Sequence, residues 1–163
     1  MSQNSIAIDG LKGDIGFLNM TIGDLSDAEL LQRPVPKANN AIWQLGHLIV
    51  AEANMVNGAA GKPVVELPAG FADRFKKETA SVDDPAALGT KADLLALFAK
   101  VREATIAWAS SLTPTDSAKE TPEAMRQFAP TVGHLVALFP VHTAMHIGQF
   151  QVLRRKLNKP VLF

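Results

Sequence analysis

The chain has 163 residues, 47% of them hydrophobic, with 16 basic and 16 acidic side chains and no cysteine. That length and apolar content allow a real packed core and exclude a disordered or linker chain, while a formal net charge of zero argues against a partner held through nucleic-acid phosphates. Without cysteine there is no disulfide, thiolate ligand or cysteine nucleophile, so any thiol chemistry needs a thiol from outside.

The N-terminus has no basic segment leading into an apolar stretch, so it does not read as a secretory signal. The first predicted helix carries Ile8, Leu11, Ile15, Leu18, Ile22 and Leu25 at spacings of three and four, which puts them on one face. Gly10, Gly13, Gly16 and Gly23 weaken it, each by about 1 kcal/mol relative to Ala where interior. Ser26-Asp27-Ala28-Glu29 predicts a capping box and a short extra turn, halted before Pro34 and Pro36.

A second helix, capped by Asn39 or Asn40, runs through Ile42, Leu45, Leu48, Ile49 and Met55 to a stop near Gly58. Apolar residues surround it on nearly every side, which predicts burial against several neighbours. The segment 41–56 is broken by Gln44, His47, Glu52 and Asn54, and is too short and too polar to span a membrane. A cytoplasmic protein is the resulting expectation. The stretch 58–89, with Pro63, Pro68 and Pro85, reads as a long irregular connection of the kind that covers a site, with Phe71 and Phe75 to pin it down.

The third helix starts at Thr90, with Asp93 completing a capping pattern, and shows a stripe of Leu94, Phe98, Val101, Thr105, Trp108 and Leu112. Thr121-Pro122-Glu123 predicts a brief helix with Thr as cap and Pro first. The fourth helix spans about 131–157, ended by Asn158 and Pro160, and Pro140 should bend or break it. No segment alternates with period two. The pattern predicts an all-α four-helix bundle, one domain over residues 1–163, with a long irregular loop between helices two and three.

Three of the four histidines fall between Thr131 and Gly148. His142 and His146 are four apart, so on a helix they stack one turn above the other and can grip one ion. Their face runs on through Leu135, Leu138, Met145 and Gln149, which points them at the core. Two neighbouring buried imidazoles need partners and repel if both charge; a metal bound to neutral nitrogens removes both problems. His47, in the most apolar helix, supplies a third ligand or is a core histidine bonded to a carbonyl. Three neutral imidazoles leave coordination positions open, an arrangement for catalysis or substrate capture, and Zn, Ni, Fe, Co and Mn all suit it. A ferritin-like di-iron site needs Glu-x-x-His pairs, and no Glu here has a His three residues later.

The stretch AIWQLGHLIVAE, followed downstream by HTAMHIGQFQVLRR, resembles the DinB/YfiT-like family of metal-dependent four-helix bundles. The resemblance takes in Trp43 and Gly46 before His47, then His142, His146, Gly148 and Gln149. It also takes in Leu25-Ser26-Asp27, Arg33-Pro34 and the Leu-Pro-Ala-Gly-Phe run at 67–71. It implies a divalent metal held by His47, His142 and His146 on helices two and four, and often a homodimer. Relatives in that family use the metal to activate a low-molecular-weight thiol, and others have been described as metal hydrolases.

Around the triad, His134 reads as a packed or surface residue, Gln149 as either an orienting group or an interhelical hydrogen bond, and Glu52 as facing away from His47. Arg154, Arg155 and Lys156 read as a solvated helix end favoured by the dipole, or as a mooring for an acidic thiol. Two functions follow: an enzyme activating an external thiol or water for a small-molecule substrate, or a stress-related protein that binds metal or ligand without turnover. A purely structural bundle with core histidines is the third. No membrane is expected as a partner.

Overall fold

The computed structural model describes residues 4–162. Among them the chain is helical, with no strand and a single antiparallel pairing of Glu120 with Thr131. Four long helices carry the core: α1 (Ser5–Ile22), α3 (Ala41–Ala60), α6 (Lys91–Ser111) and α9 (Val132–Lys156). Short ones lie between them: α2 (Asp27–Leu30), α4 (Phe71–Arg74), α5 (Pro85–Leu88), α7 (Pro114–Ala118) and α8 (Glu123–Arg126).

Helix starts follow the capping chemistry. Ser26 and Glu29 form the reciprocal capping box of α2. Asn40, rather than Asn39, caps α3 by accepting from the Trp43 N–H, and Thr131 caps α9. The C-terminal end of α3 lies beyond Gly58: the helix continues to Ala60 and stops at Gly61, whose φ of 64° is the left-handed conformation a glycine adopts without strain. One other expectation fails locally. Pro122, not Thr121, is the cap of α8, and the Thr121 hydroxyl donates to the Ala129 carbonyl instead. The helix α7 starts on a Thr113–Asp116 capping box. Helix α9 runs through Pro140 without interruption, and the proline ring packs opposite Gly10 of α1, where an added Cβ would lie 3.4 Å away.

Contacts along the helices give their directions. Gly10 meets Pro140 and Thr21 meets Arg154, so α1 and α9 run parallel. Lys91 reaches the carbonyls of Ile22, Gly23 and Leu25 while Arg102 reaches Asp14, so α6 runs against α1. Glu52 of α3 meets Arg102 midway along α6, and Ala59 and Ala60 at the end of α3 line one cavity with Trp108 and Ser111 at the end of α6, so α3 runs with α6. The bundle is therefore up-down-down-up, with α1 beside α9 and α3 beside α6. The backbones of α3 and α9 approach each other less closely than those of the other three neighbouring pairs.

A buried ion cluster ties all four helices together. Arg102, fully buried, donates from Nε and Nη2 to Glu52 at 2.9 and 2.8 Å, from Nη1 to Asp14 at 2.6 Å, and from Nη2 to the Thr143 hydroxyl at 3.0 Å. Burial pushes both carboxyls up from their ordinary values, against the pull of Arg102. Burial opposes the Arg102 charge too, but Glu52 and Asp14 more than offset it and raise its pKa. Glu52 does face away from His47, as its helical position predicts, and its role is this pairing.

The connection between α3 and α6 is more ordered than its prolines predict, since α4, α5 and a 3-10 turn at Lys77–Thr79 lie within it. Phe71 and Phe75 are buried and pin it to the bundle. Asn57 holds its first part by accepting from the N–H groups of Val64 and Val65 and donating to the Val65 carbonyl. Asn40 and Arg33 hold the far part through Asp83.

Candidate metal centre

The three histidines that the sequence singles out meet between α3 and α9. His47 comes from the second turn of α3, and His142 and His146 from successive turns of α9. One nitrogen from each lies within 4.8 Å of the other two. Among the described residues this is the group of metal-ligating side chains that closes on one point. The Nε2 atoms of His142 and His146 are 3.3 Å apart. Two nitrogens bound to one tetrahedral ion at roughly 2.0–2.1 Å would be separated by about 3.3–3.4 Å, so the spacing fits such an ion.

The charge state fits as well. Burial drives the His142 pKa down to about 4, helped by His47, and that of His146 down to about 3, helped by His142 and His47. Burial also lowers His47. Neutral imidazole is the form that ligates metal. The nearby groups acting electrostatically on His142 and His146 are the other imidazoles, with no carboxylate among them. The residues present therefore fit a divalent cation of the borderline type that imidazole binds.

Each of two rings is held by a specific neighbour. The indole of Trp43 stacks on His47, with ring centroids 5.2 Å apart and planes within 10°, and its Nε1–H donates to the Thr79 hydroxyl at 3.1 Å. The connection between α3 and α6 thus reaches the site through Thr79. Beside it, Phe75 fills the space over Gly46, where an added Cβ would lie 2.2 Å from the ring. Any side chain at position 46 would collide with Phe75, which is why glycine precedes His47. On the other helix, His146 Nδ1 lies 2.8 Å from Oε1 of the buried Gln44.

Gln44 carries a faint sequence signal: a polar residue in an apolar helix, three positions before His47 and so on a neighbouring part of its surface. Gln149 does not take that place; it is exposed, as is Met145 at 62%, so the face shared with His142 and His146 turns outward at these two positions. The ligand pair lies at the edge of the buried face of α9, and residues displaced further around the axis reach solvent. His134 is exposed at the first turn of α9, with Nδ1 2.8 Å from the Thr131 hydroxyl, and takes no part in the cluster.

The basic helix end also divides. Arg155 and Lys156 are exposed, whereas Arg154 is buried, pairs with Asp24 and donates to the carbonyls of Thr21 and Pro160. It is a tie between α1 and the end of α9, neither solvated nor free to moor a cofactor. No described helix is long and apolar enough to cross a membrane.

The family model described as the DinB superfamily matches residues 18–150, which takes in α3, α6 and the part of α9 bearing His142 and His146. No curated protein matches the chain.

Proposed function

This chain belongs to the DinB superfamily, and from that premise we propose that His47, His142 and His146 hold a divalent metal ion whose open positions take an external low-molecular-weight thiol or water. The observation that carries the reading is the convergence of three neutral imidazole nitrogens within 4.8 Å, with two of them 3.3 Å apart. Such an ion supplies a Lewis acid that stabilises the anionic form of the thiol or water as the attacking group.

The chain's own residues do the rest. Burial keeps the imidazoles in their neutral, donor form. Among the described residues no carboxylate joins the three imidazoles, so the full positive charge of the ion would face the incoming anion. His47 and His142 are only partly buried, which leaves a route to solvent for a small-molecule substrate. The absence of cysteine is in keeping with a thiol that arrives from outside.

The reading is tested by metal analysis of protein purified without added metal, followed by turnover of electrophiles with a panel of low-molecular-weight thiols. Near-stoichiometric metal in the wild type and its loss in His142→Ala is the expected result. Wild-type protein that carries no transition metal and gains no stability on metal addition overturns it. Metal without thiol-dependent or hydrolytic turnover would favour a protein that sequesters metal or ligand. A second copy of the chain as partner is proposed on the family premise alone, and sedimentation of the purified protein tests it.

A further inference from the structure

Gln44 makes two hydrogen bonds with its amide, and together they fix which nitrogen of His146 carries the proton. Its Nε2 donates to the Asn39 carbonyl at 2.8 Å, so Oε1 must be the atom that faces His146. The reverse orientation would set Oε1 against the Asn39 carbonyl oxygen, two acceptors with no proton between them. A carboxamide oxygen only accepts. His146 Nδ1, 2.8 Å away, must therefore donate, and its Nε2 is left bare. That bare Nε2 is the atom 3.3 Å from His142 Nε2.

Both partners are enclosed, Gln44 at 1% and His146 at 9% exposure, so water offers little competition for either group. The neighbouring residues give Gln44 further definition: Asn40, one turn earlier, caps α3, and Trp43 beside it stacks on His47. The first turn of α3 thus holds two of the three imidazoles, one by stacking and one by hydrogen bonding.

We propose that Gln44 is the positioning residue of this centre: it holds His146 in the Nδ1–H tautomer and so presents Nε2 to the cation. The inference rests on the metal-binding reading only for its consequence, since the tautomer is a property of the protein alone. A neutral amide has a second effect that a carboxylate would not. It orients the ring without drawing the Nδ1 proton toward itself, so His146 stays an ordinary neutral donor and the charge of a bound cation is not reduced through it. Gln44 touches neither substrate nor cation and acts through His146.

The test uses the metal-free full chain with 15N-labelled histidine at pH 7. Two-bond 1H–15N correlations distinguish the two tautomers directly. Wild type should show His146 protonated at Nδ1. Gln44→Met, close in shape but lacking a hydrogen-bond acceptor of comparable strength, should show a mixture or the Nε2–H form. In parallel, zinc affinity should fall on the order of 10- to 100-fold in Gln44→Met. Circular dichroism checks that the helices persist.

A Gln44→Met protein that is folded and keeps His146 in the Nδ1–H form overturns the proposal. So does a wild type that shows Nε2–H. A wild type with the expected tautomer that binds no zinc overturns the metal-binding reading and leaves the role of Gln44 in the tautomer standing. If Gln44→Met does not fold, the wild-type spectrum decides: Nδ1–H at His146 upholds the assignment and Nε2–H overturns it.

Discussion

Arg102 of α6 grips Glu52 of α3 through two nearly parallel hydrogen bonds, Nε to Oε1 at 2.9 Å and Nη2 to Oε2 at 2.8 Å, with no solvent reaching the guanidinium. Its remaining donors go to Asp14 and the Leu11 carbonyl of α1 and to Thr143 of α9, so one side chain connects the four long helices. Thr143 follows His142 directly, and the register of α9 at the histidines is tied to this cluster.

Arg102→Met is therefore expected to destabilise the fold by about 3–5 kcal/mol, because two buried carboxylates lose their counterion. Urea unfolding measures it. A triple substitution of Asp14, Glu52 and Arg102 by apolar residues of similar volume should recover much of that loss, since no charge is then stranded. Single and triple variants of equal stability would contradict this account.

The histidines make the stability of metal-free protein depend on pH. Unfolded imidazoles protonate below about 6.5, whereas folded His142 and His146 hold off until about 4 and about 3. Between these values the unfolded chain binds more protons than the folded one, so stability falls as pH decreases through that window. A His142→Leu/His146→Leu variant keeps the Asp14–Arg102–Glu52 cluster and should lose most of that slope. Urea midpoints at several pH values between 7 and 4 check it, and parallel slopes in the two proteins would refute it.

Gln151 is 5% exposed, and neither Nε2 nor Oε1 of its side chain has a hydrogen-bond partner among the described residues. Burying an unpaired amide costs about 1–3 kcal/mol. Gln151→Met removes the polar atoms at similar volume and should raise stability by a comparable amount, seen as a melting temperature higher by roughly 2–4 °C per kcal/mol. A lower melting temperature would mean that the amide has a partner in solution, such as a bound water.

Gly46→Ala should drive the Phe75 ring away from α3, since the new methyl would lie 2.2 Å from it. Overpacking of this kind costs about 1–3 kcal/mol. Metal affinity should weaken with it, because the displaced ring belongs to the covering segment beside His47. Combining the change with Phe75→Leu should relieve part of the loss. Titration calorimetry and urea unfolding on the single and double variants measure both effects.

Much of the architecture is legible in the residue pattern. The stripe Leu94, Phe98, Val101 and Thr105 is buried as its spacing predicts, and the caps at Ser26, Thr90 and Thr131 are where short polar side chains precede periodic segments. The His142–His146 pair is legible for the same reason, because a four-residue step on a helix is a local geometric fact. Less legible are features that depend on which helix lies opposite. Nothing local distinguishes Arg154, buried against α1, from Arg155 and Lys156 in solvent. Nor does the sequence mark Gln149 as exposed and Gln44 as the partner of His146, since each is a polar residue close to a histidine along its helix.

The sequence by itself determined four long helices, the caps at Ser26 and Thr90, and three histidines placed so that two helices could share them; these follow from hydrogen bonding and periodicity within one segment. Only the tertiary structure decided that α3 and α9 lie side by side and antiparallel, and that Gln44 rather than Gln149 orients His146. Those outcomes depend on contacts between residues about a hundred positions apart, such as Gln44 with His146, and on the burial that keeps the imidazoles neutral. Packing of the whole chain sets both, and no segment contains that information alone.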